Sequence, residues 1–220
     1  MRDIGFPANV PSPRLEIEPP DMLSGTFAYY DPGKHRGDQR VVLSLCAAGE
    51  PGMAFREYGH HVALNSLGFD MVAANDLALQ AIETGLVSYF ACSYQNEPTL
   101  GRRQPVKPGT AQASADSAAM INLENNTKLN EADTTTDYEA MYKVGEAWGG
   151  LFWDIRKALG RDLADRILLS AWRGLPAPNA QPHQYATKMA QKILAEIRAK
   201  ADRQKEPEIR SLLEQRSLKI

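Results

Sequence analysis

The sequence predicts a single α+β domain, mostly helical, with a short N-terminal β-sheet or hairpin. Three observations carry this expectation. Helical signals, above all apolar residues at three-and-four spacing, run through residues 52–66, 75–94, 138–159, 161–175 and 183–204. Runs rich in β-formers gather near the N-terminus, in GTFAYYDP and QRVVLSLCA. A length of 220 residues supplies one good core rather than two.

In chain order, residues 1–24 read as an arm. Pro7, Pro11, Pro13, Pro19 and Pro20 deny a helix there and favour an extended lead-in. Strands follow over 25–31 and 39–47, joined by DPGKHRGD, which carries turn residues. GEPGM then breaks the chain, and Pro51 suits the first turn of a helix over 52–66. Gly59 weakens that helix by roughly 1 kcal/mol relative to alanine, so a close neighbour is expected across its face. The helix over 75–94 places Leu77, Ala81, Thr84, Val87 or Ser88, and Ala91 on one stripe and also has an internal glycine, Gly85.

From about 96 to 133 the chain turns polar, with Pro, Gly, Ser, Thr and Asn favouring a long surface excursion. Asp133 or a following threonine is expected to cap the next helix, whose buried face runs through Met141, Trp148, Phe152 and Ile155 and stops at Gly160. A shorter helix with Ile167, Leu168 and Trp172 inward and a longer one with a charged outer face complete a domain over 25–203. Residues 204–220 read as a tail or a short helix.

Lys and Arg total 25 against 27 Asp and Glu, a formal charge of -2, so no broad positive field exists to bind a nucleic acid backbone. Cys46 and Cys92 make no CxxC pair and are too few for a disulfide scaffold. No run of about 20 apolar residues offers a transmembrane span. No secretion signal is visible, which implies a cytoplasmic protein if the sequence is complete; an exported mature chain is the alternative.

The segment FREYGHHV, residues 55–62, carries the chemistry-bearing side chains. Residues four apart share a helix face, so positions 56 and 60 could hold a metal together. Position 60 is His60, but position 56 is Arg56, whose protonated guanidinium has no lone pair to donate. Glu57 stands beside it where a zinc peptidase keeps its general base. Read without further context, Glu57, His60 and His61 are surface or partly satisfied side chains of an amphipathic helix.

Three segments in order nonetheless resemble the gluzincin group of neutral zinc metallopeptidases, the thermolysin and fungalysin type. They are FREYGHHV, ETGLVSYF and YKVGEAWGGLFWDIRKALG. The resemblance covers roughly residues 25–175 and implies a zincin-like domain. In the second segment Gly85, Tyr89 and Phe90 match, while Thr84 stands at the position of the third zinc ligand and Ser88 at that of a supporting aspartate. Glu83 is acidic but one residue early, about 100° around the helix. In the third, Gly145, Glu146, Trp148, Trp153, Asp154 and Arg156 match, and Tyr142 replaces a histidine.

Read with its departures, the resemblance implies a degenerate site of Arg56, Glu57, His60, Thr84, Ser88 and Tyr142, with no catalytic residue, metal or cofactor. Arg56 is expected to pair with Glu57 or Glu83 where a metal would balance the same carboxylates. The function implied is a noncatalytic metallopeptidase-like subunit that binds another protein or an extended peptide. The alternative is a zinc-dependent endopeptidase with a rearranged site, in which His60, His61 and either Glu57 or Glu83 hold the metal and Tyr58 or Tyr142 polarises a carbonyl.

Overall fold

The computed structural model describes residues 12–18, 28–33, 38–44, 47–67, 76–102, 119–130, 137–177, 184–200, 203–218 and 220. Among them lies a three-stranded sheet of order β1-β3-β2, with β1 Arg14–Glu18, β2 Ala28–Asp31 and β3 Arg40–Ser44. β3 is the central strand and reads VVL, with Val41, Val42 and Leu43 all buried, as a strand covered on both faces requires. β2 runs antiparallel to β3, pairing Asp31 with Arg40 and Ala28 with Leu43. β1 runs parallel to β3, pairing Arg14 with Arg40.

The two strands expected over 25–31 and 39–47 are therefore present as β2 and β3, with residues 25–27 and 45–46 outside the described residues, and the proline-rich arm delivers a third. Within that arm, Pro7, Pro11, Pro19 and Pro20 lie outside the described residues, as do most of the KHRGD loop and Cys46.

The rest is helical: α1 Pro51–Ser66, α2 Leu77–Gln95, α3 Tyr138–Leu159, α4 Arg161–Arg173, α5 Tyr185–Lys200 and α6 Glu206–Gln215. Pro51 occupies the first turn of α1, where its missing N–H costs nothing. Asp76 caps α2 by accepting from the Leu79 amide. The cap of α3 is Asp137, which accepts from the Ala140 amide at 2.8 Å, rather than Asp133 or a threonine before it. Gly160, at φ +79°, ends α3.

α2 forms the axis of the molecule. Residues Ala81 to Ser93 are all buried, so the stripe legible in the sequence is one part of a helix covered on every side. Its two neighbours approach closely because glycines face the contacts. A Cβ at Gly85 would lie 2.5 Å from Trp148 Cβ and 2.6 Å from the Gly145 carbonyl oxygen on α3. One at Gly59 on α1 would meet Val87 Cβ at 3.0 Å. The crowding expected from these two mid-helix glycines is thus real, and it fixes α1 near enough to α2 for short polar side chains to meet.

The 96–133 stretch is tied down where it is described. β4 Thr99–Arg102 pairs antiparallel with β5 Ala119–Asn122, and Leu100, Leu123 and Leu129 are buried in the main core. Arg216, only 4% exposed, bonds the carbonyls of Asn125 and Thr127, the side chain of Asn125 and, at 2.7 Å, Asp154 on α3. The C-terminal segment is therefore a packed helix, with Ile209 and Leu213 in the same core as α3 and α5. No helix among the described residues is long and apolar enough to cross a membrane.

Candidate functional site

Helical spacing turns Arg56, Glu57 and His60 of α1 toward one turn of α2, which presents Glu83, Thr84 and Ser88. Glu57 and Glu83 are nearly sealed, with side chains 2% and 4% exposed. Charges at such depth need partners, and each has one. Arg56 donates from Nη1 to Glu57 Oε1 at 2.7 Å and from Nε to the Ser88 hydroxyl at 3.3 Å. His60 Nδ1 lies 2.7 Å from Glu83 Oε1, and its Nε2 stands 3.8 Å from Glu57 Oε2. The result is a continuous polar chain from Ser88 through Arg56, Glu57 and His60 to Glu83.

Arg56 thus takes one of the two carboxylates considered for it, and His60 takes the other. Ser88, at the position of a supporting aspartate in the resemblance, instead accepts a bond from the arginine. Thr84, at the third-ligand position, directs its hydroxyl to Met141 Sδ at 3.5 Å.

These residues do not suit a zinc ion. Among the three ligand positions that the resemblance supplies, one carries a guanidinium and one a hydroxyl turned to a thioether, which leaves His60 as the one ordinary zinc donor of the three. Among the described residues, no group of three or more His, Cys, Asp or Glu side chains is arranged to hold a metal. His61 does not join His60: it is buried on another side of α1, with Nδ1 3.2 Å from the Tyr30 hydroxyl and 3.4 Å from Asn65 Nδ2. Tyr58 lies against the His61 ring, 5.6 Å between centroids.

A paired carboxylate and imidazole can act as a general base when the second ring nitrogen faces a hydroxyl, thiol or water. Here the protein group facing Nε2 is the Glu57 carboxylate. The arrangement therefore orients the ring, and among the described residues no hydroxyl or thiol is hydrogen-bonded to its Nε2.

Above this floor opens a cavity of about 510 Å³. Its walls include Tyr29 and Tyr30 from β2 and Tyr138 and Tyr142 from the first turns of α3. Tyr138 and Tyr142 are 61% and 57% exposed, one helical turn apart on the same face. Burial raises the Tyr30 phenol to about 12, so its hydroxyl stays protonated at neutral pH. The sequence singled out Tyr142 and gave Tyr29, Tyr30 and Tyr138 no role in the site. The i,i+4 spacing of two tyrosines at a polar helix start was the available signal for Tyr138. No protein-family model matches the chain, and no curated protein matches it.

Proposed function

We propose that this chain is a noncatalytic metallopeptidase-like protein whose tyrosine-walled cleft binds an extended segment of another polypeptide. The observation that carries this reading is the Arg56–Glu57 pair at 2.7 Å. The guanidinium stands at a position where the resemblance calls for a metal donor, and it occupies the carboxylate that such chemistry needs as a base.

Two further features support a binding role. Both floor carboxylates already have hydrogen-bonding partners, Glu57 in Arg56 and Glu83 in His60, so a ligand need not satisfy either of them. β2 is an edge strand, and among the described residues no strand pairs with its outer side. An extended peptide lying along β2 can add main-chain hydrogen bonds, while alternate side chains enter the cavity between the tyrosines. Tyrosine rings suit this task because they offer large contact area at small entropy cost.

The test uses the full chain purified without a histidine tag. Zinc content, casein hydrolysis and binding of an extended-peptide library are measured on the parent chain, Glu57→Gln and Tyr142→Ala. The expected result is no stoichiometric zinc, no hydrolysis, and peptide capture that Tyr142→Ala reduces. Stoichiometric zinc removed by a chelator, with hydrolysis lost in Glu57→Gln, would overturn the reading.

A further inference from the structure

We infer that the outer edge of β1 docks on the same edge of a second copy of this chain, antiparallel and about a two-fold axis at Glu16, so that two three-stranded sheets join into one. The inference goes beyond the peptide-binding reading and does not rest on it, because the cleft is walled by β2, at the other edge of the sheet.

The main chain gives the first argument. Among the described residues, no strand pairs with the outer side of β1. Arg14 donates its amide to the Gln39 carbonyl beside β3 at 2.9 Å. Main-chain groups alternate sides along a strand, so Leu15 and Ile17 turn their N–H and C=O groups outward. In an antiparallel pair, residues that exchange both bonds stand directly opposite, which sets Leu15 against Ile17 of the second copy and the reverse. Pro13, the next outward position, has no N–H to extend the ladder.

The second argument is an apolar face left half covered. Register places Leu15 beside Val41 and Ile17 beside Leu43 on one side of the sheet. Val41 and Leu43 are buried there against Ala54 of α1, with Ala28 and Tyr30 of β2. Leu15 and Ile17 continue that face and are both more than half exposed. Pairing two copies of β1 brings the four side chains into one strip that shields itself from water.

Charge fixes the register. The sequence RLEIE is its own complement when reversed about Glu16, so Arg14 meets Glu18 of the second copy, and symmetry repeats the contact. Among the described residues, neither Arg14 nor Glu18 has an ion pair within its own copy. Glu16 meets its own symmetry mate, and each is already held by the Arg40 of its own copy at 2.8 Å, which offsets the repulsion. Centred instead on Leu15, the pair would set Ile17 against Pro13, which cannot donate. Centred on Ile17, it would set Glu16 against Glu18 twice. A five-residue edge is small against the roughly 1,200 Å² of a stable interface, so the dimer is of the weak, reversible class.

Sedimentation velocity of the full chain tests this between about 5 and 500 µM, a range that spans weak dimers. The expected result is a monomer that converts to dimer as concentration rises. Ile17→Lys, at an exposed position, should keep the parent's melting temperature and remain monomeric throughout. Arg14→Glu or Glu18→Arg alone should weaken association about tenfold by setting like charges opposite. Both changes in one chain should restore it, because opposite charges face each other again. A monomer at every concentration, growth beyond the dimer, a dimer indifferent to Ile17→Lys, or a double reversal that fails to restore association overturns the inference. Should Ile17→Lys fail to fold, the reversal series decides alone.

Discussion

Glu83 Oε1 lies 2.7 Å from His60 Nδ1, joining α2 to α1 across the floor of the cleft. The contact depends on the close helix approach at Gly59, and it gives a sealed carboxylate its partner. His60→Ala is expected to cost roughly 2–3 kcal/mol in urea unfolding by leaving Glu83 without that partner. His60→Gln, whose amide can donate to Glu83, should recover at least half. Equal loss in both variants would remove Glu83 from the account.

Arg56 and Glu57 should be strongly coupled. Arg56→Met leaves a carboxylate only 2% exposed without its guanidinium, a loss expected near 3–5 kcal/mol. Combining it with Glu57→Gln should return about half of that, and a double-mutant cycle measures the coupling directly. Additive losses would mean that the pair contributes nothing specific.

Gly85→Ala tests the α2–α3 crossing. The added methyl would sit 2.5 Å from Trp148 Cβ and 2.6 Å from a backbone carbonyl, so a loss of about 3 kcal/mol is expected. Gly49→Ala, with nothing within 4 Å of the new atom, serves as the control and should change stability by less than about 1 kcal/mol. Calorimetric melting of both variants decides it.

Alkaline pH should weaken the fold. Burial raises the Cys92 thiol from 9.0 to about 12 and the Tyr30 phenol from 10.0 to about 12. Both are acids whose folded values exceed their unfolded ones. Their contribution is therefore intact below about pH 9 and is lost progressively as pH rises toward 12. Urea midpoints should hold between pH 7 and 8.5 and fall above pH 9.5. In the same window peptide mapping should find Cys92 unalkylated by iodoacetamide at pH 8, because a thiol needs ionisation to react.

The helices were legible because their apolar spacing is local: the stripe from Met141 to Ile155 requires no knowledge of what lies opposite. The central place of α2 was not, since a helix buried all round differs from an amphipathic one through its neighbours. β1 escaped notice because its partner Arg40 lies far along the chain, and its Leu15 and Ile17, 64% and 55% exposed, offer no inward alternation. Within the site, charge alone suggested that Arg56 needed a carboxylate. Which one it took depended on the relative rotation of two helices, a quantity that no short motif encodes. Tyr29 and Tyr30 joined the cleft because β2 is an edge strand, which only the sheet order reveals.

Arg216 has a bearing on how the molecule is made. Its bonds to Asn125 and Thr127 hold a segment translated some ninety residues earlier. During synthesis those bonds cannot form until Arg216 has left the ribosome. Premature termination between α5 and Arg216 therefore yields a nascent protein in which residues 125–127 lack these bonds.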